Sequence, residues 1–238
     1  MSEPARHTPL VRQARIAGLC YLVVIAGGLF VEGFVREPLI VAGDAAATIR
    51  EIAAGEQLWR LGLAVHLLYL IAAALVGVIL YGLLKPVQAT LARAALVFTL
   101  VDVTIEAVSL LHLYVPLAMV EERGALGALG EGQRQALAYL EIGQFATGFG
   151  FALLFFAGFC TLTGVLIMRS RLMPRLIGVL MIAAGVCYFV NSLASILAPS
   201  VSNVLFPWIL LPPFVGELSL ALWLVVKGVR VRGTPRSG

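Results

Sequence analysis

Between Arg175 and Lys227 the chain runs for 51 residues with a single formal charge, Glu217. A soluble fold does not leave a stretch of that length uncharged, because its helices and strands each need a solvated face. Four more stretches are bounded by charges in the same way. They hold 16 residues between Arg15 and Glu32, 24 between Arg60 and Lys85, 27 between Arg93 and Glu121, and 34 between Arg134 and Arg169. The third is interrupted only by Asp102 and Glu106, the fourth only by Glu141. A membrane-spanning helix takes ~20 mostly apolar residues, so the 51-residue stretch is too long for one. Its Pro- and Ser-containing segment 198–207 splits it. Six spans result, at about 15–35, 60–84, 94–119, 137–168, 175–197 and 207–227. Composition agrees: 61% of residues are hydrophobic and 13% charged, against about a quarter charged in a soluble domain. A soluble globular, disordered or disulfide-rich secreted protein is excluded. The expected fold is all-α, a polytopic membrane protein whose six transmembrane helices form one bundle and a single domain over residues 1–238.

The net charge of +4 would suggest nucleic acid in a soluble protein, but here the basic residues mark topology. Arg6, Arg12, Arg15, Lys85, Arg93, Arg169, Arg171, Arg175, Lys227, Arg230, Arg232 and Arg236 fall on one side of a six-span chain. The other side holds Arg36, Arg50, Arg60, Arg123 and Arg134 among seven acids. Cytoplasmic loops retain Lys and Arg, so both termini are expected in the cytoplasm. The first apolar run is longer than a typical signal-peptide core and lacks a clear cleavage site, which favours its retention. Cys20, Cys160 and Cys187 are far apart in apolar runs and read as packing residues, with no metal knuckle and no disulfide framework.

Two loops on the poorly basic side carry local signals. Gly43 and Asp44 read as a turn and N-cap before a short helix. The Gly-rich stretch within 121–136 is expected to be non-helical. Neither has the strand-before, helix-after setting of a phosphate loop.

Ionisable groups inside the spans carry the functional information, since an acid at a helix centre costs ~2.5–3.5 kcal/mol on insertion scales. Asp102 and Glu106 lie in span three, Glu141 in span four, Glu217 in span six and Glu32 near the end of span one. The cationic candidates at comparable depth are His66 and His112, with no Lys or Arg. At about 1.5 Å rise per residue, Glu32 lies about 25 Å from the cytoplasmic edge, and Asp102 and Glu106 about 14 and 20 Å. Glu217 sits about 15 or 8 Å deep, depending on which of Pro207, Pro212 and Pro213 starts its helix. Most of this polar set shares the outer half of the membrane, which points to one site or one hydrated vestibule.

Facing points the same way. Thr99, Asp102, Glu106, Ser109 and His112 form a polar stripe at helical spacing. Glu141 and Gln144 share a face of span four, His66 and Tyr69 one of span two, and Asn191 and Ser195 one of span five. These faces are expected to turn inward together. Asp102 and Glu106, one turn apart, are expected to share a proton as a coupled pair. Buried polar groups also hold membrane helices together, by about 0.6 kcal/mol per pair. That bland role fits Glu32, His66, His112, Glu141 and Asn191 better than a catalytic one, whereas the pair Asp102 and Glu106 points to function.

The pieces ARIAGLCYLVVIAGGLF, GDAAATI, WRLGLAV, YGLLKPV and GELSLALWLVVKGV occur in this order. The chain resembles, over residues 14–229, a bacterial membrane family known only as domain of unknown function 4386. The last piece, with Glu217, is the most specific. The resemblance implies six spans and supplies no activity. An acid often stands in the family where His66 and Asn191 stand here, and a histidine near Gln144, so this chain departs from the pattern at three positions.

The first expectation for function is an intramembrane enzyme doing acid/base chemistry, a proton-initiated cyclisation or isomerisation, on a terpenoid- or lipid-like molecule. Asp102, Glu106 and Glu217 would be catalytic. Glu32, His66, Tyr69, His112, Glu141, Gln144 and Asn191 would line the substrate site. Asp102 and Glu106 also have the DxxxD-like spacing of membrane prenyltransferases, but a second acidic motif is missing, so neither metal nor other cofactor is implied. The alternatives are a proton-coupled transporter, for which membrane acids serve as relays, and a non-catalytic ligand-binding or accessory subunit. Bis-histidine haem ligation by His66 and His112 rests on two lone histidines only. The expected partners are the bilayer and a lipophilic small molecule, without nucleic acid.

Overall fold

The computed structural model describes residues 4–121 and 129–229. All regular structure among them is helical. Six helices are long and apolar enough to cross a membrane: Pro9–Leu39, Glu56–Leu84, Ala89–Val120, Glu131–Ser170, Arg175–Leu197 and Trp208–Val226. The protein is an all-α, multi-pass membrane protein. Both chain ends carrying Ser2 and Ser237, the basic residues Arg230, Arg232 and Arg236, and most of the Gly-rich stretch lie outside the described residues.

The span ends depart from the expected ones for local reasons. The first span continues past Val35 to Leu39, because a widened π turn over Val31–Arg36 carries the helix on. The fourth begins at Glu131, inside the expected loop, where the Gln133 side chain accepts from the Gly130 amide at 3.0 Å. In the third span Pro116 lacks an N–H for the His112 carbonyl. The Val115 amide takes that carbonyl instead, and Leu110–Tyr114 tightens to a 3-10 turn. The segment after Leu197, read as a turn, forms a short helix over Pro199–Leu205, with Ala198 outside the helical region before it. The α-helical part of span six starts at Leu211, with Pro212 and Pro213 in its first turn. Glu217 therefore lies six residues in, about 9 Å along the helix.

The loop helix runs Ala45–Ala54, capped as the sequence suggests: the Asp44 side chain accepts from the Ala47 amide at 2.8 Å. Gly43 before it has φ +78°, the left-handed region that favours glycine.

The described chain gathers into two compact units. One holds the residues up to Leu22, then Ala73–Leu100, and everything from Leu153 on. Its helices meet through small residues: a Cβ on Gly164 would stand 2.5 Å from the Gly178 carbonyl oxygen, and one on Gly178 2.7 Å from that of Gly164. Such close approach is how membrane helices gain packing without a hydrophobic drive between them. Met181, Leu220 and Leu224 are wholly buried there.

The second unit holds Val23–Ala72 and Val101–Ala152. Val35, Ile52, Trp59, Leu113, Leu117 and Phe145 form its apolar core. Trp59 is fixed within it by a 2.9 Å hydrogen bond from its indole N–H to the Leu113 carbonyl, in the 3-10 turn.

Candidate functional site

Within the second unit, three polar side chains from two spans meet at one oxygen. His66 and Tyr69 sit one turn apart on span two and stack at 4.4 Å between ring centres. Glu106 comes from span three, whose polar face turns inward here: Asp102, Glu106 and Ser109 are buried, while Val108 on the opposite side is exposed. The Tyr69 hydroxyl donates to Glu106 Oε1 at 2.5 Å. His66 Nε2 lies 2.8 Å from the same oxygen and 2.6 Å from the Tyr69 hydroxyl. With its one proton on Glu106, the hydroxyl can only accept from His66, so Nε2 carries the ring proton. In the neutral form of the ring Nδ1 is then a bare lone pair. His66 is 0% exposed, and that Nδ1 has no hydrogen-bond partner.

A second charged pair flanks the first. Arg36, in the π turn of span one, is buried and grips the Glu32 carboxylate through Nε at 3.1 Å and through Nη2. Its Nη1 is buried without a partner. Phe145 of span four joins the two pairs. Its ring lies 4.6 Å from the Arg36 guanidinium carbon and meets the His66 ring edge-on at 5.7 Å. Between them opens a narrow cleft with room for about one water-sized group, lined by Val31, Val35, Trp59, Leu63 and Leu113 together with Arg36 and His66. Apolar walls with a few convergent polar groups are the usual make-up of a small-molecule site.

His112, the last residue of the stripe, pairs through Nδ1 with Glu141 Oε2 at 2.5 Å, partly open to the surface. His66 and His112 thus each hold a carboxylate. Among the described residues no three His, Cys, Asp or Glu side chains stand close enough to hold a metal ion.

Glu217 belongs to the first unit. It is buried and accepts from the Tyr188 hydroxyl at 2.6 Å, with the wholly buried Tyr21 beside it. Asn191, one turn along from Tyr188, buries its side-chain oxygen without a partner, and Ser195 donates to the Ser192 carbonyl of its own helix.

The family model for the domain of unknown function DUF4386 matches residues 16–228. The chain belongs to that family. No curated protein and no solved structure matches it.

In this DUF4386 chain the sequence-derived residues divide. Glu32, His66, Tyr69, Asp102, Glu106, His112 and Glu141 all lie in the second unit, and Glu217 and Asn191 in the first. Gln144 departs from expectation: it is exposed, and Phe145, about 100° further round the helix, makes the contacts with His66 and Arg36. Arg36 corrects the reading that no Lys or Arg shares the depth of the acids. Spacing alone ends the span at Val35 and leaves Arg36 among the loop charges. The helix instead continues through it, and Phe145 and Glu32 receive its side chain. The exposed Phe34 and buried Val35 flanking it would not have distinguished it. Trp59 was missed as well, and nothing in its local sequence assigns it to the cleft.

Proposed function

We propose that this family member is an intramembrane enzyme of the bacterial inner membrane, with both termini cytoplasmic. It carries out acid/base chemistry, an isomerisation or cyclisation, on a lipophilic terpenoid- or lipid-like substrate. One observation supports this reading above the others: His66 commits Nε2 to Glu106 and Tyr69 while its buried, unpartnered Nδ1 belongs to a residue lining an apolar cleft. Burying a polar atom without a partner costs about 1–3 kcal/mol, a cost that a ligand group would offset. An acid that orients a histidine and faces the positive charge it gains is a recurring arrangement for proton transfer. Glu106 here positions His66. His66 would move the proton, and Asp102, buried one turn before Glu106, would supply further negative charge.

Solvent deuterium tests the reading before any substrate is known. Protein in nanodiscs is incubated in D2O with a total bacterial lipid extract, and lipophilic compounds are followed by mass spectrometry. A compound that gains deuterium with wild-type protein, and not with H66Q or E106Q, is the expected result. An extract in which nothing gains label above the protein-free control overturns the enzyme reading.

A further inference from the structure

The cleft between Arg36 and His66 has a particular polarity, and no positive charge in it is left uncompensated. The Arg36 guanidinium is neutralised by Glu32, which it holds through Nε and Nη2. Glu106 already accepts from both Tyr69 and His66. An anionic head group would therefore add uncompensated negative charge to a buried site, which is costly. A cation would meet the Arg36 guanidinium. The open positions are one donor, the Arg36 Nη1 N–H groups, and one acceptor, the His66 Nδ1 lone pair. Both side chains pack on the same Phe145 ring, and the remaining walls are aliphatic and indole. The ligand that satisfies all of this is neutral and lipophilic. It presents an oxygen acceptor beside a removable proton.

We infer that the cleft binds a neutral lipophilic carbonyl compound, its oxygen held by Arg36 Nη1 and its α-proton taken by His66 Nδ1. This inference rests on the enzyme reading and names the substrate class of the same site. The step balances without a co-reactant. The α C–H bond breaks and its proton goes to Nδ1. The electron pair forms the C=C bond of an enolate, whose oxygen carries the charge beside the guanidinium. The imidazolium that forms is held between that enolate and Glu106, so the step leaves the net charge of the site unchanged. Return of the proton to the same carbon gives exchange, and return to a conjugated carbon moves a double bond.

Trp59 lines the cleft and can report occupancy. The chain has three tryptophans, so W208F/W223F leaves Trp59 as the sole emitter. The probes are methyl nonyl ketone, undecane and undecanoate, added to this protein in nanodiscs. Saturable change of Trp59 emission by the ketone, absent with undecane, is expected. R36Q should weaken ketone binding at least tenfold, and R36K several-fold, with unfolding temperature measured alongside to establish that each variant is folded. In D2O the bound ketone should exchange its α-protons faster than with H66Q by two orders of magnitude or more. Equal responses to ketone and undecane, or tighter binding of undecanoate, overturn the ligand class. In that case the lipid-extract experiment still decides whether the protein is an enzyme at all. Saturable ketone binding with exchange no faster than in H66Q overturns the enolisation and, for this cleft, the enzyme reading with it.

Discussion

The ring nitrogen Nε2 of His66 and the Oε1 oxygen of Glu106 stand 2.8 Å apart, both side chains buried, although 40 residues separate them. Tyr69 closes the triangle, so the single oxygen carries two hydrogen bonds. The pairing makes a distinction between two substitutions at one position. E106Q keeps an oxygen for both donors and should cost about 1 kcal/mol of stability. E106L leaves the Tyr69 hydroxyl and Nε2 without their acceptor and should cost about 2–4 kcal/mol. In H66L/E106L part of that loss should return, since both members of the pair are gone. Thermal unfolding in detergent measures all three, and equal losses in E106Q and E106L would show that the bonds do not hold the site.

Arg36 and Glu32 are unequal partners. Arg36 is buried, whereas 58% of the Glu32 side chain is exposed. Removing the acid leaves a buried cation, while removing the cation leaves an acid that water can reach. E32Q should therefore destabilise by about 1–3 kcal/mol, and R36M, which keeps apolar packing against Phe145, by less. Chemical or thermal unfolding of the two variants side by side checks the order, and the reverse order would contradict the burial.

Among the glycines of this chain, a Cβ would meet backbone at some, side chains at others and nothing at the rest. A methyl group at Gly164 meets the Gly178 carbonyl and the Ile182 amide, and backbone cannot swing aside. G164A should lower stability by about 1–3 kcal/mol. At Gly28, on span one, a Cβ has nothing within 4 Å, so G28A should be neutral or stabilise by a few tenths up to about 1 kcal/mol through helix propensity. Similar melting temperatures for the two alanine variants would refute the packing at Gly164.

The distribution of basic residues carries its own test. With Cys20, Cys160 and Cys187 replaced, single cysteines at Ser2 and Ser237 should resist a membrane-impermeant thiol reagent in intact cells and react after lysis. A cysteine at the exposed Ala42, beside the capped loop helix, should react in intact cells. Labelling at either terminus would reverse the topology.

The span count, the polar stripe of span three, the Asp44 cap and the His66–Tyr69 neighbourhood are legible from sequence. Each is written in residues no more than a few turns apart: hydrophobic length measures a span, helical spacing places a face, and a cap needs only its own first turn. Which inward face meets which is a different kind of fact. Whether Glu106 finds His66, whether Phe145 rather than Gln144 fills the gap, and whether Arg36 lies in water or under an aromatic ring depend on the rotation and rise of one helix against another. Those are set by the π turn before Glu37, by Pro116 tightening span three and by side chains interlocking along the whole contact. A one-residue step turns a helical side chain by about 100°, enough to exchange Gln144 for Phe145. No local pattern in one span encodes the angle of its neighbour, so the pairing of His66 with Glu106 and the burial of Arg36 were decided by tertiary packing.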